Sequence, residues 1–542
     1  MNSKGRSVWI GLGTGVILLL LFSIPFLWNN HQLRKLSLIM QANLISAAGD
    51  GQAAIQKDNL LITQKPGSVE QGAVSVSVGG RHWYSLSEGS VILPYDRQLN
   101  RQVYVAAGNR MATAPLDARA MAAQKLEVNI GTAPKAPPLV FFEPKDDKEE
   151  ASIAVQGATA LQMEPEIPGV NTVLRDDMVF LSFDAELRKH HFFSFRLISE
   201  NAQGKAFTTV AVLPKRAEEV IPIRTAQELQ AITENPQGHF LLMNDIDLRG
   251  VAWQPIGYDQ TPFSGVLDGN GHAITGLSFP GNNSNKAQES FSLFTECQHA
   301  VIRNLRMMSP QIDGTLVNTE SMSAAALVAV CEQSLLENCA VFGGHIKSKK
   351  GYAAGLAAIT EDSVLLHLFN SARIEIELPG DVMMNGGGIV ANMNGFMAYC
   401  ANEGNVSATH LTGGLFGFGP KSSTRRCINS GAIHGAVFIG EYPPGAFFQT
   451  IGDYYISDCV FTRGSAGRAG SAFGLGGVSN IRVIAPDALQ NKDALSLLGA
   501  LEGENAQWLL GDADAKGPLP SGIRTLKRYR PGGDGSEQWQ QP

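Results

Sequence analysis

The chain has 542 residues, of which 58 are Gly, 26 Pro and six Cys, and 17% are charged. An apolar fraction of 44% allows large cores and excludes global disorder. A formal charge of −7 leaves no global basic surface for nucleic acid, and six Cys are too few for a disulfide framework.

After a short segment 1–7 carrying Lys4 and Arg6, Val8–Trp28 is an uncharged stretch of 21 residues containing the run Ile17–Phe22. At ~1.5 Å per residue it matches a hydrocarbon core of ~30 Å, with Trp9 and Trp28 near its ends. This predicts an uncleaved single-pass N-in anchor, which makes the membrane a partner and places the bulk of the chain in the periplasm or outside the cell. A cleaved signal peptide would have a shorter apolar region and a nearby small-x-small site. A prepilin-like leader is suggested by Lys4-Gly5 but lacks the early acidic residue of the mature helix. Residues 29–57 read as a membrane-proximal helix, with Leu33, Leu36, Met40 and Leu44 roughly on one face.

From 58 to 131 the pattern turns to short strands (Leu60–Thr63, Ala73–Val78, His82–Ser85, Val91–Leu93) punctuated by Gly and Pro, a small β domain. The Ala-rich stretch 107–125 predicts a short helix. Residues 132–151 combine three Pro within 132–138 with the charge run KDDKEE and read as a solvated linker. Strand-like runs resume over 152–222, notably Met178–Phe183, Phe192–Ile198 and Ala206–Val212, forming a second, sandwich-like β module. The two modules together serve as a stalk. His190-His191 has no third ligand nearby and reads as strand-edge surface rather than a metal site.

At Arg224 the texture changes. Thr225 and Glu228 form a capping box, followed by NDIDL (244–248), WQPIG (253–257), PFSG (262–265) and DGNGHAI (268–274). A Gly-then-apolar element then recurs at Gly355-Leu356, Gly388-Ile389 and Gly414-Leu415, with related turns at Leu293 and Leu327 and a degraded one at Gly445-Ala446. The Leu293 turn leads to Asn304-Leu305, and a small or Cys position follows each of the other five: Cys339, Asn370, Cys400, Cys427 and Cys459, at a mean spacing of about 30 residues. Such a unit cannot bury its apolar side alone, so several must stack, with Gly at corners that need φ > 0. The six Cys read as small apolar residues stacked in an interior, with no CxxC present.

The order NDIDL…WxPIG…PFxG…DGNGHxI closely resembles the opening of right-handed β-helix domains in GLUG-repeat proteins of the bacterial surface. The resemblance covers about 223–520 and implies a parallel β-helix at 223–482, with three short strands per coil. Arg224–Leu248 would cap its start and 483–520 its end, leaving a flexible tail at 521–542. The expected fold is therefore mainly β: a transmembrane helix, small β modules, then a capped parallel β-helix solenoid.

GLUG-like repeats also occur in zinc peptidases that cleave IgA, but these need HExxH, and no His-Glu pair occurs in this chain. No catalytic, cofactor-binding or metal-binding residue is assigned. Asp245 and Asp247 alternate with Ile246 and Leu248 and could contact a glycan or Ca²⁺. Asp268 belongs to a turn. Tyr442, Tyr454 and Tyr455 could stack on a sugar or bury a partner surface. The expected function is that of a membrane-anchored bacterial envelope protein whose β-helix is a non-catalytic binding or adhesion platform for a protein or glycan. Two alternatives stay open: a polysaccharide-acting lyase or hydrolase-like enzyme, and a structural component of a secretion or pilus assembly.

Overall fold

The computed structural model describes residues 59–64, 74–78, 83–85, 90–94, 102–115, 124–128, 133–143, 150–184, 187, 191–214, 219–257, 261–279, 290–315, 323–349, 351–376, 385–408, 411–435, 448–451, 454–462, 470–473, 476–499, 501, 507–509, 519–520, 528–531 and 537–540. The segments 1–7, Val8–Trp28 and 29–57 lie outside the described residues. Among the described residues, no helix is long and apolar enough to cross a membrane.

The chain is mainly β. Its first half builds an eight-stranded sheet in the order Ala160–Glu164, Phe193–Asn201, Gly204–Val212, Arg110–Pro115, Gln102–Ala107, Ser75–Val78, Trp83–Ser85, with Leu139–Phe142 added beside Gly204–Val212. The stretches expected as two modules thus share one sheet, joined where Gly204, Lys205 and Ala206 face Ala112, Met111 and Arg110. The expected linker supplies a strand, because its Leu139-Val140-Phe141-Phe142 is a run of strand formers. Of the stretch 107–125 expected to hold a short helix, residues 116–123 lie outside the described residues, and its described ends are strand: Gly108, at φ +59°, turns the chain into the hairpin of Gln102–Ala107 and Arg110–Pro115. A three-stranded sheet, Val170–Arg175, Met178–Phe183 and Glu150–Ala154, completes a sandwich by packing Val179 and Leu181 on Phe195, Leu197 and Val210.

From Ile221 to Ile484 the sheets are parallel and stacked, an arrangement compatible with a β-helix. One coil runs Tyr352–Ala354, Ala357–Leu366, Phe369–Asn370, Arg373–Ile376. The next repeats it as Asn385–Gly387, Val390–Ala398, Ala401–Asn402, Val406–Ala408. Each strand pairs with its counterpart one coil away, giving parallel sheets of five, twelve, nine and six described strands. A coil thus contributes four strands rather than three, since the Gly-containing segment forms a ladder of its own.

The repeat reading fixed the interior well. Leu293, Leu327, Leu356, Ile389 and Leu415 are at most 1% exposed, and their following residues stack in register. Full burial of such side chains contributes about 1.5–3 kcal/mol each. The capping box is present: Thr225 Oγ1 accepts from Glu228 N, and Glu228 reaches back to Thr225 N. It starts the short helix Ala226–Gln230, which turns Leu229 and Ile232 into the first coil's core.

Two details differ from expectation. The Cys column runs Cys339, Leu368, Cys400, Cys427, Cys459, because Ala340, Phe369, Ala401, Ile428 and Val460 share a register. Asn370 stands two residues further on, stacked on Asn402 and Asn429. After seven strands of the twelve-stranded sheet the φ > 0 corner is held by Asn304, Asn338, His367, Tyr399, Arg426, Asp458 and Asn480 rather than by Gly. Gly388 is required for room: a Cβ there would sit 2.0 Å from Gly414 O and 2.3 Å from Asn402 Cγ.

All six Cys are free and buried, and burial pushes the Cys331 and Cys339 thiols up to about 12. The native protein is therefore expected to take up no thiol reagent, and six equivalents after unfolding without reductant. Mass spectrometry reads this directly, and fewer than six labels would reveal a disulfide.

The C-terminal stretch expected as a cap contains Pro486–Gln490, Lys492–Leu495 and Ser496–Leu498, all helical turns. Leu489, Leu495, Leu498 and Trp508 pack along the outer side of the nine-stranded sheet, on Phe369, Ala401, Ile428 and Val460, rather than only across its end. Within the expected flexible tail, Arg528–Pro531 pairs with Glu537–Gln540.

Candidate functional site

The strands at the heart of the twelve-stranded sheet are apolar on both faces. Ile302, Leu336, Leu365 and Met397 point into the stack, while Val301, Leu335, Val364 and Phe396 point out. A strand apolar on both sides needs cover on both. The sandwich supplies it: Phe192 and Ala211 pack on the outward set. The sandwich thus lies against the stack instead of extending away from it as a stalk.

A polar seam runs beside this contact. Phe192 N donates to His299 O at 3.0 Å, and His299 Nδ1 lies 3.0 Å from Phe192 O. His191, expected at a strand edge, packs its ring 6.0 Å from that of His299. One coil on, Ser194 N donates to Gln333 Oε1 at 2.9 Å, and in the next Ser194 Oγ donates to Asp362 O at 2.5 Å. His299, Gln333 and Asp362 hold one register position, all at positive φ.

The following coil breaks the series. Thr360 pairs with Met393 but Ser363 with Gly395, so this coil has one residue fewer and no counterpart of Asp362. Gly395 sits at φ +126°, and a Cβ would meet Ser363 O at 2.1 Å, so no side chain can fill the gap. Here module and stack part, leaving a cleft of about 290 Å³ lined by Glu164, Glu166, Arg196, Asp362, Lys421 and Ser423 among others. The far end closes again where Tyr455 stacks on Phe207, ring centroids 4.3 Å apart, beside Tyr104, Met111 and Ile198.

The charges in the cleft are of two kinds. Glu164 is committed, accepting from Arg196 Nη2 at 2.5 Å and from Gln162 Nε2 at 2.9 Å. The Arg196 guanidinium also lies over the Phe207 ring at 5.4 Å. By contrast, no hydrogen bond or ion pair from a described residue reaches the Asp362 carboxylate or the Lys421 ammonium. Burial raises the Asp362 pKa, Lys421 and Arg196 oppose this, and Glu332 and Glu164 add to it. Neighbouring Glu361 is raised by burial too, against a hydrogen bond from Asn394 Nδ2. The lining residues include no His or Cys, and the Ser194 hydroxyl is already engaged. The chemistry on offer is hydrogen bonding and charge, not a prepared nucleophile.

The site residues expected from sequence fall elsewhere. Asp245 and Asp247 are exposed around buried Ile246, as the alternation implied, but both are engaged. Asp245 Oδ1 accepts from Ala273 N at 3.0 Å and lies 3.1 Å from His272 Nδ1, tying one coil to the next. Asp247 is gripped by Arg249 through Nε and Nη2, which holds its carboxyl below the usual range. Asp268 holds the DGNG turn and pairs with Arg303 at 2.8 Å, a structural role. Tyr442 lies outside the described residues, as does the side chain of Tyr454. Tyr455 is a correction: at 3% exposure it is a docking residue and not a free stacking surface. The cleft residues Glu164, Arg196, Asp362 and Lys421 were missed. The available signal was Glu361-Asp362-Ser363, a polar interruption just before Val364-Leu365-Leu366, which is apolar on both faces.

The molecule therefore belongs to a class in which a β-sandwich is clasped to the outside of a stack of parallel sheets, with a polar cleft at the joint. No family model matches the chain, and no curated protein matches it. Among solved structures it is similar to a candidate immunoglobulin A1 protease from Bacteroides ovatus, at 15% identity and a TM-score of 0.43, over 57% of this chain and 94% of that one. It is also similar to a candidate alpha-galactosidase from Bacteroides fragilis (11% identity, TM-score 0.12, 32% of this chain and 45% of that one). The titin I-band fragment I67–I69 matches at 10% identity and a TM-score of 0.12, over 28% and 60% of the two chains. Likenesses this low carry no argument about this chain's function.

Proposed function

We propose that the stack from Ile221 to Ile484 is a right-handed parallel β-helix of the GLUG-repeat kind, and that the protein is a membrane-anchored component of a bacterial envelope. In this reading Val8–Trp28 holds the chain in the membrane. The solenoid is a rigid, non-catalytic platform, and its ligand is a protein or a glycan. The observation that carries the reading is the cleft between sandwich and stack, where Asp362 and Lys421 keep unused hydrogen-bonding capacity. A site built between two packed bodies on a stiff scaffold suits recognition, because little order is lost on binding.

One observation favours an enzyme instead. Burial raises Asp362 while Arg196-paired Glu164 shares the same cleft, and carboxyls in unlike environments are what glycoside hydrolysis uses. The full chain, in detergent or proteoliposomes, is to be screened against glycans and envelope extracts while reducing and unsaturated ends are assayed. Saturable binding without new ends is the expected outcome. Release of ends that disappears in Asp362→Asn would overturn the binding reading in favour of hydrolysis.

A further inference from the structure

We infer that the cleft at Gly395 binds a neutral, hydroxyl-rich ligand, a sugar unit of a glycan, with one ligand hydroxyl bridging the Lys421 ammonium and the Asp362 carboxylate. This deepens the platform reading and rests on it.

The chemistry follows from what the two groups lack. An ammonium only donates hydrogen bonds and an ionised carboxylate only accepts them. Lys421 and Asp362 are close enough for one charge to act on the other but form no ion pair, so neither is committed to the other. A hydroxyl donates and accepts at once, and one placed between them satisfies both. A purely anionic group would suit Lys421 but would meet Asp362, Glu164 and Glu166 at close quarters. A purely cationic group would meet Lys421 and Arg196. Charges of both signs around one small volume therefore favour a neutral ligand with many hydroxyls. Ser423 and Gln162 add further donors and acceptors along the same wall.

The fold makes the place for it. The seam residues His299, Gln333 and Asp362 follow one another coil by coil, and the shortened coil at Gly395 removes the next. Side chains from both bodies then face the gap: Glu164, Glu166 and Arg196 from the sandwich, Asp362, Lys421 and Ser423 from the stack. A bound sugar would touch both bodies and tighten their docking.

Isothermal titration of the full chain tests this with three probe sets: neutral gluco- and N-acetylglucosamine oligosaccharides, oligogalacturonate, and a Lys-Glu dipeptide. At least one neutral oligosaccharide is expected to bind saturably. Lys421→Met and Asp362→Asn are each expected to weaken it about tenfold or more, the usual loss for a hydrogen bond to a charged group. Lys421 is exposed, and Asn tolerates the positive φ of residue 362, so both variants should melt at the wild-type temperature. Three results overturn the inference: no neutral probe binds, only charged probes bind, or neutral binding is unchanged in both variants. In the last case the ligand sits elsewhere and the platform reading survives. That reading fails separately, when neither probes nor envelope extracts yield a saturable partner.

Discussion

Asn402→Ala should destabilise the parallel stack by about 3–5 kcal/mol, read as a lower melting temperature and a lower denaturant midpoint with the sandwich left folded. Asn402 is fully buried in a ladder of identical side chains. Its Oδ1 accepts from Asn370 Nδ2 at 2.9 Å, and its Nδ2 donates to Asn429 Oδ1 at 2.8 Å and Gly404 O at 2.9 Å. Truncation leaves two buried acceptors and part of one donor without partners, at about 1–3 kcal/mol for each unsatisfied group, and opens a cavity as well. The gap cannot close readily. Gly388 and Gly431 already approach this side chain so closely that neither has room for a Cβ. Asn338→Gly is the control: it keeps the φ of +53° accessible, removes one partly buried bond to Asn304 and should cost about 1 kcal/mol. In the double variant Asn402→Ala/Asn429→Ala the loss should fall below the sum of the singles, because the orphaned Asn429 oxygen is removed with its partner.

That ladder also shows where the sequence ran out. The Gly-then-apolar repeat located Leu356, Ile389 and Leu415 correctly, since nothing but a stacked interior keeps one apolar residue per coil. The distance from there to the next column varies, however, because coils differ in length and the sheet register steps at Thr360/Ser363 and again at Asn392/Asn394. A mean spacing of about 30 residues cannot distinguish the Cys column from the Asn column two residues on, and Asn370 belongs to the second. The same register step creates the cleft, so the event that blurred the repeat is the one that made the site. Corner geometry was legible in part: Gly276 and Gly344 take corners at positive φ as expected, while polar side chains such as Asn304 and Asp458, which tolerate positive φ, hold others.

Docking was the least legible feature, because no motif announces which face of a sheet is covered. The trace lay in paired apolar residues, Val301-Ile302, Leu335-Leu336, Val364-Leu365 and Phe396-Met397, where a strand with one wet face would alternate. Read with that rule, four successive coils declare an outer partner. The aromatic at Tyr455 carried the same message, since it ends against Phe207 of the sandwich.

Phe192→Asp is expected to part the sandwich from the stack while leaving both folded. Phe192 has no exposed surface and sits against Ala211 and the outward row of Val301, Leu335, Val364 and Phe396. A carboxylate there would be pressed against this apolar row, and an unpaired buried charge costs about 3–5 kcal/mol. The interior column of Ile302, Leu336, Leu365 and Met397 faces the other way, and the ladders between coils do not pass through Phe192. The penalty therefore falls on the docking contact and is relieved by separation. Hydrogen exchange should accelerate at the seam amides of residues 192 and 194, which donate to His299 and Gln333, while amides inside the twelve-stranded sheet keep their protection. The uncovered apolar row should bind a hydrophobic dye, and glycan binding at the Gly395 cleft should disappear because half of its lining has left. Leu335→Asp, made from the opposite side of the same contact, should reproduce all three effects. Equal loss of protection at residues 365 and 397 would instead mean that the stack cannot stand without its cover, and that the two bodies fold as one unit.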